Sequence, residues 1–158
     1  MSTQSEVERR GQVAGCRCAV GDDADGVRGA WLGERLPAEP GSVIVLRRLV
    51  RRWTRATVVD EEVGESIVLA VDEAVSNVVE HAYRHGAGDV HVLAVPRPCG
   101  TGVAVVVEDQ GVWSPPAADP GFRGRGLPLM DELSDHHSVV GSGVGTTVRM
   151  CWQTPVVD

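Results

Sequence analysis

The stretch Leu69–His85, LAVDEAVSNVVEHAYRH, decides the fold because it predicts a long helix with two separate stripes of side chains. Residues advance by about 100° each around a helix, so apolar residues at steps of three and four share one face. That face, extended upstream, is made of Val63, Ile67, Ala70, Val71, Ala74, Val75, Val78 and Ala82. We expect it to pack in the core of the protein.

A second, polar stripe borders this apolar face. With Glu73 as the origin, Asn77, Glu80, His81 and Arg84 fall within an arc of about 100° on the same helical wheel. A carboxylate, a carboxamide and an imidazole at such spacing can hold a metal ion or move a proton. For this helix taken alone, an ordinary solvated face is the simpler interpretation, so the function has to be argued from the rest of the chain.

Length, composition and charge restrict the class of protein. A chain of 158 residues with 42% hydrophobic residues predicts one folded domain with a single core. Its apolar runs are shorter than the ~20 residues of a membrane span, and the first residues, MSTQSEVERR, lack the apolar segment of a secretory signal. We therefore expect a cytoplasmic protein without a membrane partner. The formal net charge of −7 argues against direct binding to nucleic acid, which requires a basic surface.

The N-terminal part of the chain predicts a tail followed by an edge strand. Residues 1–28 show no apolar periodicity and predict a flexible tail ahead of a single domain at residues 29–155. Apolar and polar residues then alternate over Ala30–Leu36, and Pro37 follows, as is typical of a short strand at the edge of a sheet.

Two helices are expected next. Ser42 is the predicted N-cap of the first, which runs through Trp53, and Asp60 is the predicted N-cap of the second, which Gly86 and Gly88 end. The first helix carries a basic face made of Arg47, Arg48, Arg51, Arg52 and Arg55. Such a face most often serves solubility, and a docking surface for an acidic partner is the second interpretation.

The C-terminal half predicts two hairpins, with an acidic residue at the end of one strand. The four strands are Asp89–Val95, Gly102–Val107, His136–Val140 and Val144–Trp152. The second is almost wholly apolar and leads into Asp109 and Gly111, which places a carboxylate where the chain leaves the sheet. A turn-initiating Asp is the simpler interpretation of Asp109. Gly111 would allow close access to the backbone beside it.

A Pro-rich loop and a glycine-rich segment separate the two hairpins. The loop, Val112–Arg123, is long enough to form a lid. It ends in Gly124-Arg125-Gly126-Leu127, directly before a predicted helix at Leu127–Leu133. Free amide groups at a helix N-terminus, together with Arg123 and Arg125, are suited to holding an anion.

Four of these segments, in this order, resemble the motifs of the GHKL ATPase superfamily, which includes the catalytic domains of gyrase, MutL and histidine kinases. The likeness is strongest to its anti-sigma-factor serine kinases and covers about residues 29–152. Glu73–Asn77 (EAVSN) resembles the N-box, Asp109–Gly111 (DQG) the first glycine box, Gly124–Leu127 (GRGL) the second, and Gly145–Thr147 (GTT) the final strand beside adenine. The resemblance implies an α+β two-layer sandwich, with a mixed, mainly antiparallel sheet and three helices on one face.

The resemblance also implies a role for each site residue. Glu73 is expected to be the catalytic base for the attacking hydroxyl, and Asn77 to bind Mg²⁺ through its side-chain oxygen. Asp109 is expected to accept a hydrogen bond from the adenine amine, and Gly111 to let the base approach. The remaining residues expected to bind ATP are His81, Arg123, Gly124, Arg125, Gly126, Leu127 and either Thr146 or Thr147. Because side chains alternate along a strand, only one of these threonines can face the cleft.

The function implied is that of an ATP- and Mg²⁺-dependent protein-serine kinase that acts as an anti-sigma factor. It would bind a sigma factor and phosphorylate a STAS-type anti-anti-sigma protein, thereby regulating transcription, and a homodimer is compatible with this role. Two alternatives remain. One is a module of the same shape that binds ATP, or nothing, and only sequesters a partner; the other is a structural domain without a ligand. Glu73 distinguishes the kinase from the sequestering module, because a module that performs no chemistry does not need this carboxylate.

Overall fold

The computed structural model describes residues 31–84, 86–97, 101–112 and 126–157, without the side chains of residues 126–128. In chain order its elements are β1 (Leu32–Pro37), α1 (Pro40–Thr57), α2 (Glu61–Asn77), a π-helical turn (Val78–Ala82), β2 (Asp89–Pro96), β3 (Val103–Asp109), α3 (Gly126–Leu133), β4 (His136–Ser142) and β5 (Gly145–Trp152). The predicted tail at residues 1–28 lies outside the described residues. So do most of the predicted lid and the residues Arg123, Gly124 and Arg125.

The strands form one sheet in the order β1-β2-β3-β5-β4. All four pairings among these strands are antiparallel, and β1 lies at an edge as its alternating sequence predicts. The hairpins β2–β3 and β4–β5 are joined through β3 and β5, which brings the end of β3 beside the start of β5, and β1 pairs with β2 at one edge. This arrangement and the three helices confirm the predicted α+β sandwich, although no parallel pair occurs among the described strands.

The core lies between one face of the sheet and the helices. Alternate residues of β2 and β3, namely Val90, Val92, Ala94, Val103, Val105 and Val107, are buried against α1 and α2. The apolar face predicted for α2 is confirmed, since Ile67, Ala70, Val71, Ala74 and Val75 are all buried. α2 contacts both α1 and α3.

The start of α1 differs from the prediction. The helix begins at Pro40, and Glu39 is its N-cap, with extended backbone angles and no side-chain hydrogen bond. Pro is well tolerated in the first turn because the N–H that it lacks would have had no helical partner. Ser42 lies inside the helix and is buried, so the predicted Ser42 cap is wrong. α1 also continues past Trp53 to Thr57.

The two ends of α2 differ in how well the sequence predicted them. The Asp60 cap is confirmed, because its carboxylate accepts hydrogen bonds from the N–H groups of Glu62 and Val63. The α-helix ends at Asn77, however, and the backbone widens into the π-helical turn that ends at Ala82. The prediction of a regular helix extending to Gly86 is therefore wrong. Among the described residues, no helix has both the length and the apolar character that a membrane span needs.

Candidate functional site

Glu73 and Asn77 lie one turn apart near the C-terminal end of α2, and both side chains are partly buried. Their neighbours Ala74 and Val75 are in the core, which fixes the rotation of the helix. Partial burial raises the pKa of the Glu73 carboxyl, and the charges of Glu80 and then Asp72 raise it further. Glu73 is thus a carboxylate whose proton affinity is higher than that of a solvated glutamate.

The π-helical turn changes the position of His81. In a π-helix the backbone hydrogen bond spans five residues instead of four, and such turns occur frequently at functional sites. The helical wheel that aligned His81 with Asn77 assumed regular α-helix, and that assumption fails from Val78 onward. In the structure Nε2 of His81 lies 3.6 Å from Oε2 of Glu80, and both side chains are exposed. A role of His81 in binding ATP remains a prediction.

Asp109 is the buried acid of the site. It ends β3, only 8% of the residue is exposed, and its Oδ1 accepts a hydrogen bond of 2.9 Å from the N–H of Gly111. Thr146, its partner in the register with β5, adds hydrogen bonds from its N–H and its hydroxyl. Burial nevertheless outweighs these hydrogen bonds, and the pKa of Asp109 is raised.

The register of β3 and β5 decides between the two threonines. Thr146 pairs with Asp109, whereas Thr147 pairs with Glu108 and donates a hydrogen bond of 3.3 Å to its Oε1. Glu108 and Asp109 point to opposite faces of the sheet because side chains alternate along a strand. Thr146 is therefore the threonine that shares a face with Asp109, on the helix-covered side of the sheet.

Gly111 joins the end of β3 to the end of the π-helical turn. A Cβ atom on Gly111 would collide with the backbone carbonyl of Ala82, and the N–H of Val112 donates a hydrogen bond of 3.0 Å to that same oxygen. The close approach of these two backbone segments therefore explains why residue 111 has to be a glycine. This contact ties the Asp109 turn to the π-helical turn that directly follows α2, the helix that carries Glu73 and Asn77.

Tyr83 supports the same junction and was not singled out from the sequence. Its hydroxyl donates a hydrogen bond of 2.7 Å to the carbonyl of Asp89 and accepts one of 2.9 Å from the N–H of Gln110. A Cβ atom on Gly88 would collide with the Tyr83 ring. The signal that was available is a tyrosine followed within a few residues by Gly88, since a ring that packs on backbone requires a residue without a side chain.

The third part of the candidate site is the glycine-rich segment, of which the structure describes only the end that begins α3. Gly126 and Leu127 begin α3, and Met130 of that helix is fully buried in the core. The first amide groups of a helix lack partners within the helix, so the chain at Gly126 presents donors there. Within the described ranges, no group of three or more His, Cys, Asp or Glu residues is arranged to hold a metal ion.

The residues fit the groups that the resemblance implies. Asn77 offers a side-chain oxygen atom, the kind of ligand that Mg²⁺ prefers, and Mg²⁺ commonly takes few protein ligands because phosphates and water complete its shell. Asp109 offers a carboxylate in a largely dry environment, where the hydrogen bond of an amine donor is strong.

This chain is similar to a family of known domains and to a number of solved structures, including the two compared below. The family of histidine kinase-like ATPase domains matches residues 36–152. One of these structures is the crystal structure of the RsbU and RsbW domains of Rv1364c from Mycobacterium tuberculosis. Its sequence identity to this chain is 24% and the TM-score is 0.63, over 79% of this chain and 32% of that one. This chain is also 25% identical to the histidine kinase domain from Erythrobacter litoralis EL346 blue-light activated histidine kinase, with a TM-score of 0.51, over 59% of this chain and 45% of that one. The chain thus spans about a third of the first structure and under half of the second.

Proposed function

We propose that this chain, which belongs to the family of histidine kinase-like ATPase domains, is a protein-serine kinase that uses ATP and Mg²⁺ and acts as an anti-sigma factor. The family accounts for ATP binding and for kinase-like chemistry in general. The observation that carries the finer proposal is the pair Glu73 and Asn77 on α2, connected through the Ala82–Gly111 contact to the buried carboxylate of Asp109. The residues proposed as the base, the metal ligand and the adenine-binding group are thereby connected through one junction.

Asp109 is proposed to recognise the adenine. The exocyclic amine of adenine is a hydrogen-bond donor, and an ionised carboxylate accepts such a bond with about twice the strength of a neutral acceptor. The hydrogen bonds from Gly111 and Thr146 hold the Asp109 carboxylate in one orientation. Thr146 is the threonine assigned to the pocket, because Thr147 lies with Glu108 on the opposite face.

Asn77 is proposed to bind the Mg²⁺ that contacts the phosphates, and Glu73 to accept the proton of the acceptor serine. Mg²⁺ bound by the Asn77 oxygen would neutralise the phosphate charge, which is what the metal supplies in phosphoryl transfer. Glu73 would accept the proton of the serine hydroxyl. Its raised pKa supports this role, because a general base works best when its pKa lies nearer to the working pH.

The phosphate cradle and the partners rest on the sequence motifs. Arg123, Gly124, Arg125, Gly126 and Leu127 are proposed to bind the phosphates, with the amides at the start of α3 as donors. The partners proposed are a sigma factor and a STAS-type anti-anti-sigma protein in the cytoplasm, with serine as the acceptor. The likeness of the fold to a structure that contains an RsbW domain supports the choice of this branch of the family.

Phosphate transfer from γ-labelled ATP to a STAS-domain protein of the same organism tests the proposal. We expect label on a serine of that protein, dependent on Mg²⁺. Glu73→Gln should slow transfer by roughly 10²–10⁴-fold, as for a lost acid–base group. Asp72→Asn is the matched control, since it removes a neighbouring carboxylate that binds Arg47 instead. Transfer by Glu73→Gln at the wild-type rate would leave Glu73 without the catalytic role.

A further inference from the structure

The solvent-facing side of α1 has an unusual composition. Ile44 and Val45 are 50% and 45% exposed, and Arg48, Arg52 and Arg55 follow as exposed residues of the same helix. At about 100° per residue, all five fall within an arc of roughly 100°. We call these five residues the outer stripe of α1. It has an apolar end toward the helix N-terminus and a basic end toward the C-terminus.

The three arginines of the outer stripe differ from their neighbours on the same helix. Arg47 is bound by Asp72, and Arg51 by Glu65, so both are neutralised by carboxylates of α2. In the described ranges, no ion pair involves an arginine of the outer stripe. The protein has a formal net charge of −7, and yet it concentrates three positive charges here.

We propose that the outer stripe of α1 docks an acidic amphipathic helix of a partner protein. The basic end attracts carboxylates and orients the encounter, while burial of Ile44 and Val45 adds a contact that does not depend on salt. Arg48, Arg52 and Arg55 are spaced by four and three residues, which is the spacing at which side chains of a second helix also line up. Carboxylates at matching steps can therefore meet each guanidinium.

The polarity of α1 gives the partner helix a direction. Acidic residues are favoured in the first turns of a helix, where they complement its positive dipole end. A partner with acidic first turns places them over Arg55 and Arg52 only if it runs antiparallel to α1. Its apolar residues then come about three turns later and meet Ile44 and Val45. This polarity distinguishes the proposed surface from a general affinity for negative charge.

The composition of the stripe favours a protein over a nucleic acid. Binding to a phosphate backbone depends on many basic residues and releases many counterions. The outer stripe offers three arginines next to two large apolar side chains, on a protein that is acidic as a whole.

Fluorescence anisotropy with two stapled helical peptides of about 20 residues tests the proposal. The first peptide carries Glu at positions i, i+3 and i+7 and Leu at i+10 and i+11. The second has the same composition with the apolar pair first and the acidic residues last. We expect the first peptide to bind and the second to bind on the order of tenfold more weakly. Raising the salt concentration should weaken the first complex, since exposed charges are screened.

Two charge-reversal variants complete the test. Arg52→Glu should weaken binding of the first peptide by tenfold or more, whereas Arg35→Glu makes the same change in net charge on β1 and should leave binding nearly unchanged. Ile44→Ser should weaken binding without altering its dependence on salt. Equal losses for Arg52→Glu and Arg35→Glu, equal binding of both peptides, or equally strong competition by single-stranded DNA would overturn the proposal. So would sedimentation showing that Arg52→Glu dissociates a dimer, because a second copy would then occupy the stripe.

Discussion

The guanidinium of Arg47 binds both carboxylate oxygens of Asp72, with Nε 2.7 Å from Oδ1 and Nη2 2.9 Å from Oδ2. This fork joins α1 to α2 at the residue directly before Glu73. The side-chain hydrogen bond and the charge of Asp72 raise the pKa of Arg47. Asp72 is thus held by Arg47, whereas Glu73, about 100° further around the helix, is the carboxylate proposed for catalysis.

The Arg47–Asp72 pair predicts a coupling that stability measurements can detect. Asp72→Asn and Arg47→Gln should each lower the melting temperature, because each variant removes the ion pair, with its two hydrogen bonds, from the remaining partner. The double variant should lose little more than either single variant, since residues in contact are not additive. Thermal unfolding of the four proteins measures this directly. Fully additive losses would show that the pair does not stabilise the helix interface.

Glu73 gives stability a predictable dependence on pH. Because its pKa is raised in the folded state, the folded protein holds this proton at pH values where the unfolded chain has lost it. Stability at this group therefore falls as the pH rises from the unfolded pKa through the folded pKa. Glu73→Gln should be more stable than the wild type at pH 7, and the gain should disappear in acid, below both pKa values.

Urea unfolding of Glu73→Gln and wild type at several pH values checks this sign. Glu80→Gln, which removes the neighbouring charge that acts on Glu73, should give a smaller gain in the same direction. A gain that is constant across the pH range would show that the effect of Glu73→Gln comes from packing instead of ionisation.

The sequence predicted those features that depend on local spacing. The cap at Asp60, the buried stripe from Ile67 to Val75 and the edge position of β1 all follow from patterns within a few residues. Ser42 misled because a good capping residue lay two positions after Pro40, which starts the helix.

Features that join distant parts of the chain could not be predicted from the sequence. The Arg47–Asp72 pair spans 25 residues, and the assignment of Thr146 to the Asp109 face depends on the register between β3 and β5. Neither leaves a periodic signal. The π-helical turn was missed for a related reason, since VVEHA is equally compatible with an α-helix and widens where Ala82 meets Gly111.

Gly111→Ala tests the junction between β3 and the π-helical turn. The added methyl group would collide with the carbonyl of Ala82, so we expect a loss of about 1–3 kcal/mol in the free energy of unfolding, as for other overpacked sites. Gly86→Ala is the matched control, because a Cβ atom there meets no atom within 4 Å. Denaturant unfolding of both variants gives the comparison. Equal stability of the two would mean that the backbones at Gly111 are not held in contact.

Tyr83→Phe tests whether the same junction supports the nucleotide site. Loss of the hydroxyl removes hydrogen bonds to Asp89 and Gln110, each worth about 0.5–1.5 kcal/mol. Because Gln110 lies between Asp109 and Gly111, the variant should bind ATP more weakly while it remains folded at 25 °C. Calorimetric titration with ATP, on protein shown to be folded by circular dichroism, measures this. Unchanged ATP affinity would restrict Tyr83 to a role in stability.

The affinity of Asp109→Asn for ATP, measured by titration calorimetry in the presence of Mg²⁺, tests the central claim most directly. The variant keeps an acceptor oxygen but loses the charge, so binding should weaken by about 1.5–3 kcal/mol, roughly 10- to 150-fold. Glu108→Gln removes the adjacent charge on the opposite face of the sheet and should bind ATP like the wild type. Wild-type affinity in a folded Asp109→Asn variant, or an equal loss in Glu108→Gln, would contradict the assignment of this site.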